Sequence, residues 1–68
     1  MQRITFGKIT SAGYDALRMK LELEFRPTGR IIVFLDVPEE VWYGLKNADS
    51  PDRYFQRNIQ GRYLEERL

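Results

Sequence analysis

Polar and apolar positions alternate most clearly between residues 19 and 25, where Met19, Leu21, Leu23 and Phe25 are interleaved with Lys20, Glu22 and Glu24. A period of two puts successive side chains on opposite faces of an extended chain, so this stretch predicts a strand with one face buried and one wet. Ile4, Phe6 and Ile9 make shorter steps of the same kind, ending near Ala12, Gly13 and Tyr14, and predict a first edge strand. After Arg26, Pro27, Thr28 and Gly29, whose Pro and Gly suit a hairpin turn, the run Ile31 to Leu35 is apolar at every position and predicts a third strand that needs cover on both faces.

The pattern then changes period. Pro38 at a first helical position, followed by Glu39 and Glu40, suits the positive end of a helix dipole, and Val41, Leu45 and Ala48 recur at helical spacing, so a short helix is expected up to about Asn47 to Asp49. Gly44 inside it costs roughly 1 kcal/mol relative to Ala. Ser50 as N-cap, Pro51 at the first position and Asp52 in the first turn predict a second helix, with Phe55, Ile59 and Tyr63 as its inward stripe and its end around Gly61 to Leu64. The tail from Glu65 to Leu68 has no periodicity and is expected to fray. The fold class expected is α+β: a three-stranded antiparallel meander followed by two short helices packed on one sheet face, residues 1–68 forming a single domain.

Length sharpens this. A chain of 68 residues buries only about 60% of the surface that its unfolded form exposes. Ordering it costs on the order of 100 kcal/mol, so nearly every large apolar side chain is needed for packing. The third strand therefore raises a problem of cover. Ile32 and Phe34 share one face, opposite Ile31, Val33 and Leu35, and two short helices shelter only one of these faces. Ile32 and Phe34 are then the surplus pair, covered either by the N-terminal segment or by another chain, as a partner surface on which the chain self-associates as a homo-oligomer or holds another protein. Trp42, beside the Val41 and Leu45 stripe, is expected to be exposed as an anchor on that interface.

Composition removes whole classes of chemistry. There is no cysteine and no histidine, hence no disulfide, no thiolate nucleophile, and neither the usual base of a serine-type triad nor the commonest metal ligand. No catalytic residue, metal site or cofactor is expected, and the chain is read as a non-enzyme. Glu22 and Glu24 share a wet face without a burying cleft, which fits a solvated sheet better than an acid and base pair. No apolar run approaches the ~20 residues of a membrane span, and the N-terminus lacks a signal sequence, so a soluble, cytoplasmic protein is expected. With 11 basic and 10 acidic residues the net charge is +1, too small for a general polyanion field, so any anion site must be local.

One local candidate stands out. Arg53 and Arg57 lie a helical turn apart, with Gln56 and Gln60 on adjoining turns and Tyr54 alongside, an arrangement suited to a phosphate or carboxylate and to a stacked base. The alternative is a solvated face whose arginines pair with Asp52 and nearby glutamates. Tyr14 and Tyr43 are further flat surfaces. The helix start at Ser50 is a second anion candidate, but Asp52 already occupies its field.

From Gly13, Tyr14 and Asp15 through Val37 and Pro38 to Ala48, Asp49 and Ser50, the chain resembles the KTSC domain, a short module named for the C-terminus of some lysyl-tRNA synthetases. The more specific segment is Ser50, Pro51, Asp52, Arg53, Tyr54, Phe55, then Ile59 and Tyr63. Asp52 stands where the family has Gly, Gln56 where it has Asn and Gln60 where it has Arg, and Ile32, Val33 and Phe34 replace a Tyr-x-Tyr, so no role of those two hydroxyls carries over. The family's place beside a tRNA synthetase implies an RNA-related function, and its free-standing members include phage proteins. Two readings follow: a non-catalytic module binding RNA or a nucleotide through Arg53, Arg57, Gln60 and Tyr54, or a protein-interaction module. An example of the second is a small phage-encoded inhibitor acting in the host cytoplasm through Ile32, Phe34 and Trp42.

Overall fold

The computed structural model describes residues 8–68 and has an antiparallel sheet with two helices. The strands are β1 (Ile9–Asp15), β2 (Lys20–Phe25), β3 (Arg30–Phe34) and β4 (Glu65–Arg67), and the helices α1 (Glu39–Asn47) and α2 (Pro51–Asn58) lie between β3 and β4 in the chain. The sheet order is β1-β2-β3-β4 with every neighbouring pair antiparallel. The class is α+β as the pattern implies, with four strands among the described residues in place of the expected three. The part of the first strand expected at Ile4 and Phe6 lies outside the described residues.

Within β1 the register shifts between Ile9 and Ser11, Ile9 opposing Phe25 and Ser11 opposing Glu24. The extra residue changes which parity points inward. Ile9 is buried before the bulge, and Ala12 and Tyr14 after it. Asp15 closes the following turn, its Oδ1 accepting from the amides of Leu17 at 3.1 Å and Arg18 at 3.3 Å. Such an Asx turn is what Asp offers at a strand end. Met19 leaves the turn in the left-handed region, at φ 56°.

The register of β3 decides which of its faces is covered. Leu21 opposes Phe34 and Leu23 opposes Ile32, so Ile32 and Phe34 share the face of the two leucines. Leu21 and Leu23 are fully buried, and Phe34 is 1% exposed. This is the face that the helices cover, with Val37, Trp42, Leu45 and Ile59 completing the core. Phe34 therefore belongs to the interior and Ile32 lies partly buried on the helix-covered face, which corrects their assignment to an uncovered partner surface. The outward pair is Ile31 and Val33, opposite Glu24 and Glu22. Val33 is nonetheless buried, flanked by Glu22 on β2 and Glu66 on β4, whose methylene stems cover an apolar neighbour while their carboxylates reach water.

β4 is the second correction. Residues 65–67, expected to fray, pair with β3, Phe34 opposing Glu65 and Ile32 opposing Arg67. Flanking bonds run from Leu35 N–H to Leu64 O at 2.9 Å and from Leu68 N–H to Ile31 O at 3.0 Å. No apolar alternation announces this strand because it is an edge whose three residues are all exposed, and charge on an edge strand keeps it from pairing indiscriminately.

α2 is also shorter than its stripe suggests. The amides of Ile59 and Gln60 both bond the Phe55 carbonyl, and Gly61, at φ 75°, reverses the chain. Tyr63 reaches the core from the loop beyond. Ser50 occupies the N-cap position and Pro51 the first turn, without a side-chain cap bond from Ser50. Pro38 is likewise the N-cap residue of α1 rather than its first helical residue.

Candidate functional site

α2 presents two different flanks. On one, Arg53, Tyr54 and Arg57 join Ala48, Asp49 and Ser50 around a shallow depression of about 240 Å³. The i, i+4 spacing brings both guanidinium stems to the same rim. Asp52 does not pair with either. Its Oδ2 accepts from the amide of Lys8 at 3.1 Å and its Oδ1 is buried without a hydrogen-bond partner. Among the described residues no carboxylate lies within ion-pair distance of the Arg53 or Arg57 guanidinium. Arg57 contributes a further contact through its backbone, its carbonyl accepting from Arg62 Nε at 3.0 Å.

Tyr54 is positioned from across the helix pair. Its ring lies against Gly44 of α1, so close that a Cβ there would stand 2.5 Å from Cζ and 2.8 Å from Cε2. The glycine that weakens α1 as an isolated helix is thus the place where α2 approaches. Gln60 does not join this group. It faces the other flank of α2, lining a separate cleft with Phe25 and Phe55.

The remaining aromatic residues gather elsewhere. Trp42 is 4% exposed, stacked on Tyr14 with ring centroids 5.8 Å apart and planes 14° from parallel. This corrects its assignment as an exposed anchor: in a core this small the bulkiest side chain of α1 is turned to the sheet, together with Leu45. Tyr43 is the exposed aromatic residue of that helix, its hydroxyl donating to Glu39 Oε2 at 3.4 Å. The Lys46 ammonium lies 5.3 Å from the Trp42 centroid and 4.8 Å from that of Tyr43. A depression of about 540 Å³ collects Tyr14, Glu39, Tyr43 and Lys46. The spacings Glu39 to Tyr43 and Trp42 to Lys46 were the available signals for it.

Tyr14 fixes the junction between sheet and helices. Its hydroxyl donates to the Val37 carbonyl, while the Val37 amide bonds Met19 O at 2.9 Å. Burial, and then the negative charges of Glu39 and Asp15, raise the Tyr14 pKa above the ordinary tyrosine range. In the fold the phenol keeps its proton at a pH where the unfolded chain has lost it. Stability is therefore complete below the unfolded value, about 10, and falls as pH climbs from there toward the raised folded value. Urea titrations at pH 9 and pH 11 are expected to show a larger loss for the natural protein than for Tyr14→Phe. At pH 7 that variant should be less stable by about 1–3 kcal/mol, because it orphans a buried carbonyl. Equal losses in the two proteins would refute this account.

Among the described residues no cluster of acidic side chains could hold a metal ion, and no helix is long and apolar enough to cross a membrane.

The arrangement defines a small antiparallel sheet carrying a helical pair, with anion-suited side chains on α2. Residues 7–63 match the family described as the KTSC domain, and the chain belongs to that family. Among solved structures it is similar to the crystal structure of a KTSC domain protein from Yersinia pestis, at 33% sequence identity and a TM-score of 0.89. The match covers 98% of this chain and 96% of that one. Comparison with curated proteins gives no match.

Proposed function

We propose that this chain is a non-catalytic binding module that takes an anionic ligand, RNA or a nucleotide, at the Arg53, Tyr54 and Arg57 flank of α2. The observation that carries the reading is a pair of guanidiniums one turn apart on the rim of a depression, neither in an ion pair among the described residues. Like charges at i, i+4 cost a helix about 0.2–0.5 kcal/mol, a cost that a phosphate between them reverses. Arginine's planar fork suits two phosphate oxygens at once. Tyr54 supplies a ring beside them for a base, and Asp49, which also lines the depression, offers an acceptor to a ribose hydroxyl or a base N–H.

With a net charge of +1, affinity must come from these local contacts. Two phosphate contacts on a single strand predict a log–log salt slope of about −1.4, so binding weakens about sevenfold from 50 to 200 mM salt. Fluorescence anisotropy with a labelled RNA oligonucleotide measures this directly. The double variant Arg53→Glu, Arg57→Glu should lose both the affinity and the slope. Unchanged binding by that variant, or binding indifferent to salt, would refute the reading.

A further inference from the structure

The opposite flank of α2 carries a second feature. Between α2 and the β3–β4 side of the sheet lies a cleft of about 450 Å³, within the size range of pockets for small organic ligands. Its floor is apolar: Phe25, Ile32, Phe34 and Phe55. Phe55 is set against both other rings, its centroid 5.5 Å from Phe25 with planes at 59° and 5.7 Å from Phe34 at 73°. Phe25, Ile32 and Phe55 pack on the core yet stay only partly buried. α2 is eight residues long and ends before it can cover them.

The rim is charged in a way that the pairing of the strands explains. Arg30 opposes Phe25 and Arg67 opposes Ile32, so both arginines stand on the helix side of the sheet, beside the apolar floor. Glu65, opposite Phe34, is on the same face. Among the described residues neither Arg30 nor Arg67 forms an ion pair with it or with any other carboxylate. Two positive side chains and one negative leave the mouth with one net positive charge. Gln60 and Thr28 add neutral hydrogen-bonding groups.

We infer that this cleft is a binding site for a small planar aromatic compound bearing one anionic group, a carboxylate or a phosphate, whose ring lies on Phe25, Ile32 and Phe55 and whose charge meets Arg30 and Arg67. An aromatic body fits a floor of tilted rings, which prefer edge and offset contacts with a further ring. A carboxylate's single charge matches the net rim charge, and either anion suits the planar forks of the two arginines. The site is separate from Arg53 and Arg57 and does not depend on that reading.

Titration of the isotope-labelled protein with 2-naphthoate, 2-naphthyl phosphate and neutral 2-naphthamide, followed by amide shifts in NMR, tests it. The expected result is saturable shifts at Phe25, Ile32, Phe34 and Gln60 with at least one of the two anions, and binding of the amide weaker by roughly tenfold or more, as loss of a charge-assisted contact implies. Which anion binds tighter separates a carboxylate ligand from a phosphate one. Arg30→Gln, Arg67→Gln should bring the anion down to the level of the amide, while Arg53→Glu, Arg57→Glu leaves it unchanged. Naphthamide binding as tightly as the anions, absence of saturable shifts, or an Arg30→Gln, Arg67→Gln protein that binds like the natural one would each overturn the inference. Loss of binding in the Arg53→Glu, Arg57→Glu protein would do the same, by placing the ligand on the other flank.

Discussion

Replacing Phe34 by aspartate will leave the chain unfolded at neutral pH, whereas the same charge placed one strand face away, in Ile31→Asp, will be tolerated. Phe34 is 1% exposed and meets Phe55 edge-on at 5.7 Å. Truncating a buried Phe costs about 3–5 kcal/mol by lost burial and cavity formation. Adding an unpaired carboxylate brings several more through desolvation. A domain of this length has roughly 3–10 kcal/mol of stability in all, so the substitution exceeds most of that range. Ile31 is half-buried on the outer face, opposite Glu24, where an acidic side chain reaches water. Circular dichroism and an amide NMR spectrum of each variant give the answer. A folded Phe34→Asp protein beside an unfolded Ile31→Asp protein would mean that the helices cover the other face of the sheet.

That contrast marks where sequence alone stops. The alternation of Leu21, Leu23 and Phe25 with Lys20, Glu22 and Glu24 specifies both the existence of β2 and its inward face, because only one register keeps three charged side chains wet. The run Ile31 to Leu35 specifies a strand but no face: every position is apolar, so parity is silent. The face is set by pairing with β2, which brings Phe34 opposite Leu21. The same limit hid the bulge in β1, where the inward parity changes after Ile9. β4 was invisible for the opposite reason, since Glu65, Glu66 and Arg67 carry no apolar signal and are held by backbone bonds to β3.

The site divides in a similar way. Helical spacing puts Arg53 and Arg57 on one rim, and the structure brings Tyr54 to them. Gln60 is seven residues from Arg53, two turns on, yet it follows the last helical residue, Asn58, and lines the cleft on the other flank. Arg30 and Arg67 are 37 positions apart, and only the β3–β4 register makes them neighbours of one floor. Trp42 shows how size outweighs pattern. The Val41, Leu45 and Ala48 stripe aims α1 correctly, but in a core with so few large side chains the helix turns until the indole is covered as well.

Gly44 is where local preference and tertiary packing conflict, and Gly44→Ala measures which prevails. Judged as a helix position alone, alanine should stabilise α1 by about 1 kcal/mol. In the fold its Cβ would stand within 3 Å of the Tyr54 ring, 2.5 Å from Cζ and 2.8 Å from Cε2, so the ring must move or the helices must separate. Overpacking of this kind costs about 1–3 kcal/mol, and a net destabilisation is expected in urea unfolding. Tyr54→Ala removes the obstacle, so adding Gly44→Ala to that variant should restore the propensity gain and reverse the sign of the effect. Such a reversal is a coupling between contacting residues that no pair of independent sites shows. Because Tyr54 also lines the depression with Arg53 and Arg57, the displaced ring should weaken the proposed RNA binding in Gly44→Ala, while the salt slope proposed for the two arginines stays as it was. A stabilised Gly44→Ala protein, or the same shift in both backgrounds, would show that the α1–α2 contact yields to one methyl group and that Gly44 has no part in holding Tyr54 at the site.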